Sequence, residues 1–185
     1  ANPSTILSIS TDRNFVKKNI LWSVSISAKC QEAQDVFNRI TISSDASNEY
    51  DDMDVPEPPT IGEYVSLYIL HPEWGNIFKQ YAIDAQQDIG SGKVWNVEAK
   101  SNISDRVDLK FDGLESVAER YEVWLLDEVT KETQNLRTKA RYSYANTSEE
   151  HPRRMKIVIG TSEYIAQQMK DNQTVPNSYS LDQNF

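Results

Sequence analysis

Six carboxylates crowd one short stretch, DASNEYDDMDVPEPP from Asp45 to Pro59: Asp45, Glu49, Asp51, Asp52, Asp54 and Glu57, with no basic residue among them. Pro56, Pro58 and Pro59 rule out helix and disfavour an interior strand, so the stretch reads as an extended loop. Carboxylates this close repel one another unless water or a cation screens them, and hard oxygen ligands suit calcium. Asp45, Glu49, Asp51, Asp52 and Asp54 are therefore candidate ligands of a calcium-ordered loop. Their spacing is not the DxDxDG of an EF-hand, and a solvated acidic loop accounts for the same residues.

A second chemistry lies in flat aromatic rings. Within YVSLYIL, Val65, Leu67 and Ile69 alternate with Tyr64, Ser66 and Tyr68. Four residues of strand set the two tyrosines about 13 Å apart, a separation that suits neighbouring sugar rings. Trp74 follows in HPEWG, a loop tip by composition, and Trp124 lies opposite Val123 and Leu125 in YEVWLLD. Aromatic faces stack on the C–H faces of sugars, while Asp, Asn and Gln hold the hydroxyls. Tyr64, Tyr68, Trp74 and Trp124 are the candidate ligand-binding residues, with a polysaccharide or glycan as partner. Packing under a neighbouring loop or across strands is the competing use of such side chains.

Nucleophilic catalysis finds little support. The two histidines, His71 and His151, each precede proline and read as turn residues. No G-x-S-x-G elbow marks a serine, and Gly90-Ser91-Gly92 reads as a hairpin turn rather than a phosphate loop. Cys30, the sole cysteine, cannot form an internal disulfide or a cysteine-rich zinc site and reads as a small core residue. Asp52, Asp54 and Glu57 are similar in spacing to the carboxylates of one glycosidase family. Such pairs need rigid strand positions beside a cleft, which a Pro-rich loop does not supply. The expectation is a chain that is not an enzyme.

The elements that must position these residues alternate with period two. In ILWSVSISAKC, Ile20, Trp22, Val24, Ile26, Ala28 and Cys30 share one face, with serines and Lys29 on the other. KVWNVEA, RVDLKF and RRMKIVIG repeat the device, and FNRITIS, KQYAID and ARYSY are shorter candidates. YEVWLLD is apolar on both faces, so both are expected to be covered. Arg153-Arg154 reads as charge that guards an edge strand. Only SEYIAQQMK, residues 162–170, reads as helix, with Ser162 as N-cap. Strand and turn alternate without βα units, which predicts an all-β fold: an antiparallel β-sandwich, jelly-roll or immunoglobulin-like, with one short C-terminal helix. The length of 185 residues fits one domain, and four Trp, nine Tyr and five Phe supply large core pieces. A net charge of −9 argues against nucleic acid and anionic membrane surfaces. No apolar run approaches the roughly 18 residues of a membrane span.

The final residues, VPNSYSLDQNF, resemble the start of the C-terminal sorting domains carried by substrates of the bacterial type IX secretion system. Val175, Pro176, Tyr179, Leu181, Gln183, Asn184 and Phe185 match that family's pattern. The Pro-Asn-Pro that follows in the family is absent. The body, through Trp22, the acidic stretch, YVSLYILHPEWG and LLDE, resembles an uncharacterised β-sandwich module found upstream of such domains. The resemblance implies export by a Gram-negative bacterium to the cell surface or the medium. It also implies one domain over 1–170 and a linker over 171–185 leading to a sorting domain, with further domains upstream. The expected function is that of a non-catalytic accessory module that binds carbohydrate, with a structural spacer as the other reading.

Overall fold

The computed structural model describes residues 19–75, 78–147 and 151–173, the last three by backbone only. The sorting-domain-like tail and STILSIS, an alternating stretch near the N-terminus that reads as a further short strand, lie outside the described residues.

Eleven strands form one continuous sheet: β1 Ile20–Cys30, β2 Ala33–Ser43, β3 Val55–Pro56, β4 Val65–Leu70, β5 Gln80–Gln86, β6 Gly92–Ser101, β7 Arg106–Asp112, β8 Glu122–Asp127, β9 Thr133–Asn135, β10 Arg141–Ala145 and β11 Arg153–Gly160. The order is β10-β7-β1-β2-β5-β4-β6-β11-β8-β9, with β3 paired to β5. The all-β expectation and the C-terminal helix hold, but the sheet is a curled half-barrel instead of two facing sheets. The reason is a seam. β10-β7-β1-β2 is antiparallel throughout, and so is β5-β4-β6-β11-β8-β9. The two halves join where Arg39–Ile42 of β2 run parallel to Ile83–Gln86 of β5.

Alternation builds the interior. Val24, Ile26, Ala28 and Cys30 of β1 face the same core as Val107, Leu109 and Phe111 of β7 and Met155, Ile157 and Ile159 of β11. The curl brings strands from distant places in the order together, as Trp22 of β1 meets Trp95 of β6 edge-on at 6.2 Å. Register shifts at Ile20/Trp22 and Ile26/Ala28 bend β1, and the first of them leaves Ile20 half exposed. Beyond the strands, the guanidinium of Arg137 gathers the carbonyls of Leu114, Val117, Ala118 and Tyr121, fixing the segment between β7 and β8.

The helix α1, Ser162–Gln173, covers the outer face of β8 and β11. Ile165, Tyr164 and Met169 pack there against Leu126, Val158 and Trp124. Gly160 and Gly92, paired across β11 and β6, admit it: a Cβ on Gly92 would stand 2.2 Å from the Tyr164 ring. The N-cap is Thr161, whose Oγ1 accepts from Tyr164 N at 3.4 Å; the Ser162 hydroxyl instead donates to Glu122 at 2.5 Å. Arg153-Arg154 does not guard an edge either. It opens β11, an interior strand, and Arg153 is ion-paired to buried Asp127 at 2.6 Å.

Candidate functional site

The acidic loop and the HPEWG turn, read separately in the sequence, meet in the fold. Pro72 starts a 3-10 turn over Pro72–Trp74, and Gly75 ends it in the left-handed conformation at φ 68°. Side chains three apart eclipse in a 3-10 turn, and Trp74 accordingly stacks on His71, centroids 3.7 Å apart and planes 3° from parallel. Tyr81 of β5 meets the indole edge-on at 4.8 Å. Tyr50, from the acidic loop, lies 6.1 Å from Trp74 and 5.9 Å from Tyr81, and remains 45% exposed.

Beneath the rings runs a chain of polar groups. His71 Nδ1 lies 2.7 Å from Glu73 Oε1, and Nε2 lies 3.2 Å from Asp84 Oδ2. The second approach is off the hydrogen-bond axis, so it is a charge contact. Asp84 is fully buried and accepts from Trp95 Nε1 at 2.6 Å and Gln86 Nε2 at 2.5 Å. Gln86 Oε1 in turn accepts from Lys93 Nζ. Burial disfavours the His71 imidazolium, but Asp84 and Glu73 outweigh it and hold the pKa above the ordinary histidine value. Burial pulls the Lys93 ammonium below its usual range despite Asp84 and Glu73.

The acidic loop uses its carboxylates on backbone N–H groups, its own and those of neighbouring segments. Asp45 accepts from Asn19 N at 2.8 Å. Asp51 accepts from Ser47 N at 2.6 Å and Met53 N at 2.7 Å. Asp54 accepts from Ala85 N at 2.9 Å and Asp51 N at 2.8 Å. Burial, reinforced by Asp84 and Asp51, raises the Asp54 pKa to about 6 in spite of those two N–H donors. Glu49 and Asp52 are exposed. Among the described residues no three His, Cys, Asp or Glu side chains are grouped as a metal site would need.

The aromatics named from sequence are not gathered into one platform. Trp74 belongs to the cluster above. Tyr68 is buried, and its hydroxyl donates to Glu98 at 3.0 Å. Tyr64 is half-buried just ahead of β4, and its backbone bonds to Asn102 and Ser101. Trp124 is half-buried under α1, with Nε1 donating to Glu122 at 2.6 Å. The outer side of β4 is covered because Glu57 reaches Ser66 at 2.7 Å and Asp35 of β2 accepts from Leu67 N at 2.8 Å.

Sequence reasoning missed His71, Tyr50, Tyr81 and Asp84. His71 had a readable signal in HPEW, since a proline-initiated turn pairs the residue before it with the tryptophan three on. Asp84 had a weaker one, a carboxylate inside a strand buried on both sides. No serine, threonine or cysteine is hydrogen-bonded to His71 among the described residues; the arrangement presents rings above a charged, buried support. No known family model matches the chain, and neither curated proteins nor solved structures give a significant match.

Proposed function

We propose that the chain is a carbohydrate-binding accessory module of an exported bacterial protein and that Trp74 and Tyr50 form its sugar platform. The observation that carries this is the rigid stacking of Trp74 on His71 with the exposed Tyr50 ring beside it. Preorganised rings lose little entropy when a ligand arrives, and carboxylates of the adjoining acidic loop and Glu73 lie within the same region to accept sugar hydroxyls. The loop's order in this reading comes from its N–H···carboxylate bonds, and calcium is not required for it. Export rests on the likeness of VPNSYSLDQNF to sorting-domain starts.

The test is retention on a panel of neutral polysaccharides, with and without chelator. Tyr50→Ala removes an exposed ring and should weaken binding about tenfold, or ~1.4 kcal/mol, with melting temperature unchanged; Trp74→Ala should abolish it. Retention lost with chelator alone would move the site to the acidic carboxylates. A second reading, a spacer between neighbouring domains, draws on the burial of Tyr68 and the packing of Trp124 under the helix. Failure to bind any glycan would select it.

A further inference from the structure

On a chain of net charge −9, one groove is lined by Lys29, Arg106, Lys110, Lys139 and Arg141 against a single carboxylate, Asp108. We infer that this groove, on the outer face of β1, β7 and β10, binds an acidic polysaccharide, a sugar polymer carrying carboxylate or sulfate groups. It shares no lining residue with the Trp74 cluster, so it stands independently of the sugar platform proposed above.

The register shows why folding alone does not account for the charge. Lys110 of β7 sits directly opposite Arg141 of β10, and like charges at directly opposed positions destabilise a sheet. Cations on β10 do protect an edge strand from mispairing, since β10 ends the strand order. Lys29 and Lys110, however, stand on interior strands, where no edge needs guarding. Arg106 is neutralised by Asp108 at 2.7 Å and Lys110 by Asp112 at 2.8 Å. Lys29, Lys139 and Arg141 make no ion pair among the described residues. Lys29 stands directly opposite Asp108, and Arg141 also acts on that carboxylate. One carboxylate shared with Arg106 cannot balance them together with Lys139, so net positive charge converges on one concave surface, which concentrates potential where an anion would enter.

The remaining lining selects the kind of anion. Ser27 stands beside the charges and offers a hydroxyl to a sugar, whereas the Ser143 hydroxyl already donates to Asp108 and accepts from Arg106; Arg141 offers the planar fork that matches a carboxylate or sulfate. Among the described residues no aromatic side chain lines the groove, so a single-stranded nucleic acid finds no stacking surface there. From Arg106 to Lys110 the face runs about 13 Å along the strand, enough for neighbouring sugars of one chain.

The test is affinity electrophoresis and calorimetry of the full chain with polygalacturonate and with dextran sulfate, with plain dextran and fully methyl-esterified polygalacturonate as uncharged controls. Binding to a charged polymer and to neither control is expected, and it should weaken at least about tenfold between roughly 50 and 200 mM salt. Lys29→Gln, Lys139→Gln and Arg141→Gln together should weaken it at least tenfold with an unchanged or higher melting temperature. Trp74→Ala should leave it intact, which separates this groove from the platform even if the latter binds nothing. Absence of binding to both charged polymers, equal binding by the triple variant, or tighter binding of single-stranded DNA would overturn the proposal. So would self-association abolished by the triple variant and not displaced by polymer, which would make a second copy the occupant.

Discussion

Asp127 and Asp54 are both buried aspartates, yet their surroundings push them in opposite directions. Burial works against ionisation at each. At Asp127 it is outweighed by Tyr142 Oη at 2.6 Å, Val129 and Thr130 N–H groups at 2.8 and 3.0 Å and Arg153 Nε at 2.6 Å, so the carboxyl is held below the usual range. At Asp54 the donors are two backbone N–H groups, no cation among the described residues pairs with it, and Asp84 and Asp51 add negative charge. Glu57 extends the second region. Its Oε2 is buried without a partner, and burial together with Asp35 raises its pKa to about 7 against the lowering effect of Ser66. The first region is built to hold the fold, since Tyr142 lies on β10 and Asp127 on β8, close to the two ends of the strand order. The second keeps carboxylates whose charge burial disfavours, in the loop that also carries the exposed Tyr50 ring.

The comparison breaks most visibly at Asp127. Asp127→Ala leaves Arg153 without its carboxylate and Tyr142 with only the longer bond to Glu132 at 3.3 Å, and should cost about 3–5 kcal/mol in urea unfolding. A loss no greater than that of Asp54→Ala would erase the distinction. Next comes pH. A carboxyl that holds its proton more tightly folded than unfolded stabilises the fold in acid and loses that contribution as pH rises through its folded value. Asp54 at about 6 and Glu57 at about 7 should therefore lower the melting temperature between roughly pH 4 and 7. Asp127, with its lowered pKa, acts in the other window: its contribution is complete above the unfolded carboxylate value and disappears as pH falls through the folded one. Thermal melts across this range should show a mildly acidic optimum, and Asp54→Asn with Glu57→Gln should flatten its alkaline side.

Smaller is the effect of Glu57→Gln alone. After allowance for solvent at a half-buried side chain, it should stabilise by about 1 kcal/mol at pH 8, raising the melting temperature by about 2–4 °C, with no gain at pH 4. The smallest readout sharpens the picture at His71. Its imidazole should titrate above the ordinary histidine value by NMR, and Glu73→Gln should bring it down. Because the raised value belongs to the folded state, His71 stabilises at low pH and ceases to as pH rises through it. A His71 titrating below the ordinary value would mean burial outweighs both carboxylates.

How far the sequence carries is clear from particular residues. Val107, Leu109 and Phe111 alternate with Arg106, Asp108, Lys110 and Asp112, and β7 buries and exposes them in that alternation. The parallel pairing of β2 with β5 left no such trace, because it joins segments separated by the whole acidic loop and β4. β9 was illegible too: Thr133–Asn135 has no apolar residue to alternate. At the site, Pro72 and Gly75 mark the turn that carries Trp74, whereas the approach of Tyr50 to it depends on long-range packing. Tyr64 and Tyr68 do share the predicted side of β4, but what covers that side, Glu57 and Asp35, comes from distant segments that no local spacing reports.

The parallel seam also has a mechanical consequence. Each antiparallel half zips from neighbour to neighbour, but in the sheet itself the halves are joined by four parallel residue pairs of β2 and β5, and parallel pairing is slightly weaker per residue. Side-chain ties such as Tyr142 to Asp127 span the other side of the curl. A tensile load passed through this domain would reach the seam and that clasp as the joints between two stiffer plates. The domain would then extend by hinging open along β2 and β5 before either plate unravels, a stepwise yield.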